Sequence, residues 1–173
     1  MKKVAITLCL LLATGLTMAQ KKSVSTGIEV GQKAIDLKFK SPDGKEIALS
    51  SLKGKVVLLD FWASWCGPCR RENPAVVAAY NKYKDEKIGK AKGFTVYSVS
   101  LDQEKQKWVD GIKADGLSWP YHVSDLAGWH SKAAQLYSVN SIPTNWLLDA
   151  NGVIVARGLR GDALIQAIEK LRK

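Results

Sequence analysis

The run Val56–Val57–Leu58–Leu59–Asp60–Phe61–Trp62 limits the possible folds more than any other stretch of the chain. Its length and β-branched start suit a strand. An alternating pattern would leave one face in water, whereas this run leaves neither. It therefore reads as a central strand covered on both sides. Asp60 interrupts it at a cost, because a carboxylate there must give up its water. The turn Ala63–Ser64–Trp65 follows, and a helix begins near Cys66. Val76, Val77, Tyr80 and Tyr83 have helical spacing. Pro74 falls inside that helix and is expected to kink it.

The rest of the chain arranges itself around this strand. Gln20 to Gln32 is polar and aperiodic, and reads as a loose arm. Leu37–Phe39 and Ile47–Leu49 form a hairpin around Pro42–Asp43–Gly44, where Pro presets φ and Gly accepts positive φ. Lys53–Gly54–Lys55 is a second turn. Phe94–Leu101 is a strand, and Gln103–Ala114 a polar helix with Trp108, Val109 and Ile112 on one side. Trp119–Pro120 breaks the chain before a short strand, Tyr121–Val123. Trp129–Tyr137 reads as a helix and Thr144–Leu148 as a strand. Asn151–Gly152 turns that strand into Val153–Arg157. Gly158–Gly161 is a loop, and Asp162 caps a last helix that buries Leu164, Ile165, Ile168 and Leu171. Alternation of strands and helices implies an α/β fold, with a largely parallel sheet and helices on both faces. No repeat, domain linker, dinucleotide-binding glycine fingerprint or P-loop is present.

Met1–Lys2–Lys3, an apolar run from Val4 to Leu16 and the small residues Thr17 and Ala19 have the three-part design of a secretory leader. Residues 1–19 are expected to be a signal peptide and 20–173 a single domain. A retained anchor is the alternative, but the run falls short of the ~20 residues a spanning helix needs. Lipidation at Cys9 is disfavoured, because Cys9 sits early in the run. The chain has 26 Lys and Arg against 16 Asp and Glu, net +10, and loss of Lys2 and Lys3 leaves +8. These lysines are scattered or lie between Lys82 and Lys92, as on a solvated helix end and loop. With export, this argues against a nucleic-acid partner.

Two cysteines remain, Cys66 and Cys69. So close a pair closes almost no loop and adds little stability by chain entropy, which points to chemistry rather than scaffolding. At a helix start, the Cys66 sulfur meets unpaired N–H groups and the positive end of the dipole, and both favour the thiolate. Cys69, three residues on, shares its face. Gly67 and Pro68 are tolerated in a first turn. Thiol–disulfide exchange follows, with Cys66 attacking and Cys69 resolving. The second step benefits from a buried proton acceptor. Asp60 is one candidate, with a structural carboxylate as the alternative. Glu72 is another, with an ordinary acid of the helix's first turns as the alternative. Trp62, Trp108 and Trp146 read as core residues, and Trp129 as either core or contact.

The segment from Asp60 to Cys69, with Pro74, Ile142–Pro143–Thr144 and Gly158, resembles the thioredoxin superfamily over about residues 33 to 172. The leader, the first hairpin and Glu72 are similar to its exported TlpA/ResA branch. The resemblance implies a thioredoxin-like fold, a central mixed sheet with helices on both faces and an N-terminal hairpin extension. It implies Cys66 as attacking thiol, Cys69 as resolving thiol, Asp60 as acceptor and Glu72 as its assistant. Trp65, Gly67 and Pro68 would form the contact surface beside Cys66. Pro143 would be cis, and the Ile142 backbone would pair with an extended substrate. It further implies a reductant of protein disulfides in the periplasm or another extracytoplasmic space. A membrane electron donor would serve it, with no cofactor beyond the Cys66–Cys69 disulfide. No metal is expected, and a monomer is. Two departures leave the substrate open. Gly67 stands where branch members serving cytochrome assembly often carry an acid, and the segment Asp125 to Ser138 is longer.

Two rival readings are weaker. A thiol peroxidase needs Pro and Thr where this chain has Leu59 and Ala63. A metal module would use Cys66, Cys69, His122 and His130, but the histidine spacing is too wide for the usual pattern. His122 reads as a strand residue and His130 as a surface helix residue.

Overall fold

The computed structural model describes residues 24–172. The expected leader and Cys9 lie outside them. Strands β1 (Thr26–Gly27) and β2 (Lys33–Ala34) pair in parallel, and β3 (Lys38–Lys40) and β4 (Glu46–Ala48) form the first hairpin. Then come β5 (Val56–Trp62), α1 (Gly67–Tyr83), the small hairpin β6 (Lys87–Ile88) and β7 (Ala91–Lys92), β8 (Phe94–Ser100) and α2 (Lys105–Ala114). Strand β9 (Tyr121–Val123), α3 (Lys132–Leu136), β10 (Thr144–Leu148), β11 (Ile154–Arg157) and α4 (Asp162–Lys170) complete the order.

Five strands make the main sheet, in the order β11-β10-β5-β8-β9. β5, β8 and β9 run parallel, while β10 is antiparallel to β5 and to β11. Every residue of β5 and β8 is buried, so the central pair is covered on both faces. Successive side chains of a strand point to opposite faces. The Phe61 ring meets Tyr137, just after α3, at 5.8 Å. Trp62 instead faces Gly111 of α2, where an added Cβ would come within 2.8 Å of the Ser64 Cβ. Helices thus lie on both faces, and the fold is the mixed, thioredoxin-like α/β architecture.

The structure corrects several details. Residues 24–32 are not a loose arm. Gly31 donates to the Ile154 carbonyl at 2.8 Å, Ile154 donates to Gln32 at 2.9 Å, and Trp146 Nε1 donates to the Ile28 carbonyl at 2.9 Å. Hydrogen bonds to the exposed edge of β11 order a segment that has no periodicity of its own. The Trp129–Tyr137 helix is a 3-10 turn, Gly128–His130, followed by short α3, because Ser131 between them is extended at ψ 129°. Gly161, at φ 46°, caps α4, and Asp162 is its first helical residue. The basic stretch includes the β6–β7 hairpin, which buries Ile88 and Ala91. Among the described residues, no helix is long and apolar enough to cross a membrane.

Candidate active site

The strand-to-helix turn after β5 is fastened from two sides. Asp102, at the end of β8, accepts the Ser64 N–H at 3.0 Å and the Ser64 hydroxyl at 2.6 Å. Arg70 in α1 pairs with Asp115 just after α2 and reaches the Ser64 carbonyl at 3.3 Å. Asn73 adds a bond to Asp115 at 2.7 Å. The cysteine pair therefore starts its helix from a fixed platform.

Cys66 occupies the N-cap of α1, and its sulfur accepts the Cys69 N–H at 3.2 Å. A disulfide joins it to Cys69, with the Cα atoms 5.3 Å apart. Both cysteines are buried, Cys66 with 5% of its surface accessible and Cys69 with 1%. Trp65, Gly67 and Pro68 are exposed around it. Opposite, the Ile142 carbonyl oxygen lies 3.8 Å from the Cys66 sulfur, and the Ile142–Pro143 bond is cis.

Asp60 is buried in β5, on the face that also carries Leu58 and Trp62. Its register partners are Asn145 on β10 and Ser98 on β8, and Ser98 is in turn the partner of His122 on β9. A row of four buried polar side chains thus crosses the sheet. Burial pushes the Asp60 carboxyl up to about 7, and the Glu72 charge adds to this. The Arg160 guanidinium and the Asn145 amide pull it down. A carboxyl near 7 is matched to proton exchange at neutral pH. His122 is held neutral, driven down to about 4 by burial. Its Nε2 lies 3.1 Å from the Leu117 carbonyl and its ring stacks on Trp119. His130 is exposed. No cluster of three or more potential metal ligands exists among the described residues.

Glu72 is half-buried and accepts the Gly161 N–H at 2.6 Å, so it joins α1 to the loop before α4. The same loop is held by Asn145, which accepts the Leu159 N–H at 2.8 Å and donates to its carbonyl at 3.0 Å. Arg160, from this loop, donates to the Pro143 carbonyl. The structure therefore sets the cis Ile142–Pro143 bond beside Cys66 and places Asp60 within reach of the Glu72 and Arg160 charges. It adds Asn145, Ser98, Arg160 and Gly161, which sequence reasoning missed. Asn145 carried one readable signal, an amide inside an otherwise apolar strand. Gly158, by contrast, is exposed, donating its N–H to the Asn145 carbonyl at 2.9 Å.

The comparisons agree with this geometry. Residues 30–157 match the AhpC/TSA family. The thiol-disulfide oxidoreductase ResA of a Bacillus cereus strain is 31% identical, over 90% of this chain and 84% of that one. The thioredoxin-like protein YneN of Bacillus subtilis (strain 168) is 40% identical, over 78% of this chain and 72% of its own. The solved thioredoxin domain of a thiol-disulfide oxidoreductase from Bacteroides vulgatus superposes with a TM-score of 0.75 at 33% identity, covering 85% of this chain and all of that one. The chain belongs to the AhpC/TSA family, within its thioredoxin-like group of thiol–disulfide oxidoreductases.

Proposed function

We propose that the protein is an exported reductant of disulfides in protein clients. The observation that carries this reading is the Cys66 sulfur at the amino end of α1, bordered by the exposed Trp65, Gly67 and Pro68 and lying 3.8 Å from the Ile142 carbonyl oxygen.

In the reduced enzyme, the Cys66 thiolate attacks a client disulfide. One Cys66–client S–S bond forms, and the departing client sulfur takes a proton. Cys69 then gives its proton to Asp60 and attacks the Cys66 sulfur. The internal disulfide forms, and the second client thiol leaves. Arg160 lowers the Asp60 pKa and Glu72 raises it by a smaller amount. Trp65, Gly67, Pro68, Ile142 and Pro143 hold the client segment. The redox-active disulfide is the only cofactor this cycle uses.

Two electrons must return from a donor, for which a membrane dithiol carrier is the natural source in an extracytoplasmic space. The domain acts there as a monomer after its leader is removed at Ala19, and it needs no nucleic acid. The sequence of residues 1–19 supports export, and the likeness of the Cys66 segment to thioredoxin supports reduction. Leu59 and Ala63, both wholly buried, do not favour hydroperoxide chemistry.

The experiment is redox equilibration of the purified protein in dithiol–disulfide buffers, with the Cys69→Ser variant used to capture clients from the secreted fraction. A potential near thioredoxin's, about −270 mV, and captured mixed disulfides support the reading. A strongly oxidising potential near about −120 mV reverses the direction, and absence of exchange removes the function.

A further inference from the structure

Trp129 has no part in the cycle above, yet it is 49% exposed beside Trp65, which is 53% exposed. The ring centroids are 6.1 Å apart and the planes inclined at 55°. Among the described residues, six large apolar side chains are exposed. Trp65 is one, and Leu126, Trp129 and Leu136 come from a single stretch. Exposed aromatic surface is unfavourable in water unless something covers it.

That stretch is firmly built. Ser124 Oγ donates to the Ser100 carbonyl at 2.8 Å and accepts the Leu126 N–H at 3.0 Å. Asp125 accepts from Ala127 at 3.2 Å and from Lys132 at 2.9 Å. Leu126 is held at φ 55°, a region that L side chains avoid, and Gly128 at φ 59° is buried against Gln103. The loop thus holds Trp129 over Trp65 against backbone strain and at little further entropic cost.

We propose that Trp65 and Trp129 form a two-ring seat for a bulky apolar or aromatic side chain of the client, placed close in sequence to the cysteine under attack. The inference rests on the proposed function and adds a client class to it. Trp65 is bonded to Cys66, so a polypeptide whose sulfur reaches Cys66 passes the edge of the seat. An extended chain advances about 3.3 Å per residue and the ring centroids lie 6.1 Å apart, so the two rings span about two residues of a client strand that starts at the cysteine beside Trp65. An apolar side chain gains by covering both rings. A cationic one is disfavoured, because Lys132 lies close to Trp129 in the chain and the protein keeps a net charge of +8 once Lys2 and Lys3 are lost from the +10 of the full sequence.

The test uses pre-reduced full-length protein and three symmetrical peptide disulfides with Trp, Ala or Lys two residues from the cysteine. The readout is the ratio of second-order rate constants, which cancels any loss of folded protein. In the unmodified protein the Trp peptide reacts about five-fold or more faster than the Ala peptide. In Trp129→Ala the ratio falls to near one, and Trp129→Phe restores most of it. A ratio near one in the unmodified protein, an unchanged ratio in Trp129→Ala, or a preference for Lys overturns the seat. If the unmodified protein reduces the Ala peptide no faster than Cys66→Ser does, the proposed function itself falls, and the seat with it.

Discussion

Asp60 on β5 and Asn145 on β10 are register partners on one buried face of the sheet. The amide that faces the carboxyl also grips the Leu159 backbone, and so positions the loop that brings Arg160 toward Asp60. One side chain therefore faces the buried carboxyl and helps hold the loop whose charge tunes it.

The first prediction concerns pH. Asp60→Asn removes the base, so the second, resolving step slows about ten- to a hundred-fold at neutral pH. The deficit narrows as pH rises and hydroxide takes over removal of the Cys69 proton. It also shrinks well below 7, where Asp60 in the unmodified protein is already protonated. Stopped-flow rates of mixed-disulfide resolution from about pH 5 to 9 check this.

Stability follows the same group with a definite sign. The folded pKa, about 7, lies above the ordinary 3.8, so the folded state binds the extra proton. Its contribution is fully present below pH 3.8 and is lost as pH rises toward 7. The size is on the order of 4 kcal/mol. Asp60→Asn should flatten that slope in urea titrations and be the more stable protein above pH 7.

Arg160 and Glu72 act on Asp60 with opposite signs. Arg160→Ala should move the Asp60 titration upward, and Glu72→Gln downward, while the Gln side chain can still accept the Gly161 N–H. Carboxyl carbon NMR of labelled aspartate reads both shifts. Movement in one direction for both variants contradicts the assigned charges.

Cys66→Ser should reduce disulfide turnover to background. Cys69→Ser should accumulate mixed disulfides that resist resolution, visible as a mass increase equal to the client thiol. Near-normal turnover by Cys66→Ser reassigns the nucleophile.

Asp102→Ala removes the bonds that fix the turn before Cys66 and strands the buried Ser100 hydroxyl that donates to it at 2.7 Å. A loss of about 2–4 kcal/mol is expected, together with slower exchange. An unchanged urea midpoint would show that the turn holds without it.

The strand around Asp60 and the helix after it were legible because their patterns are local. Burial on both faces shows as an unbroken apolar run, and the helix start as a cysteine pair with Gly and Pro. The polar row was not legible. Asn145, Ser98 and His122 lie far apart in the chain, and only strand register brings them into one row with Asp60. Arg160 was hidden for the same reason, in a loop whose position depends on an amide across the sheet. The arm around Ile28 was misread because its order comes from the edge of β11.

The cap of α1 is also its reactive atom. Whatever helps the folded chain keep negative charge on that sulfur makes the dithiol form easier to reach by the same free energy. Redox poise and helix integrity are thus two readings of one quantity. A substitution that frays the first turn should shift the midpoint potential even when it touches neither cysteine.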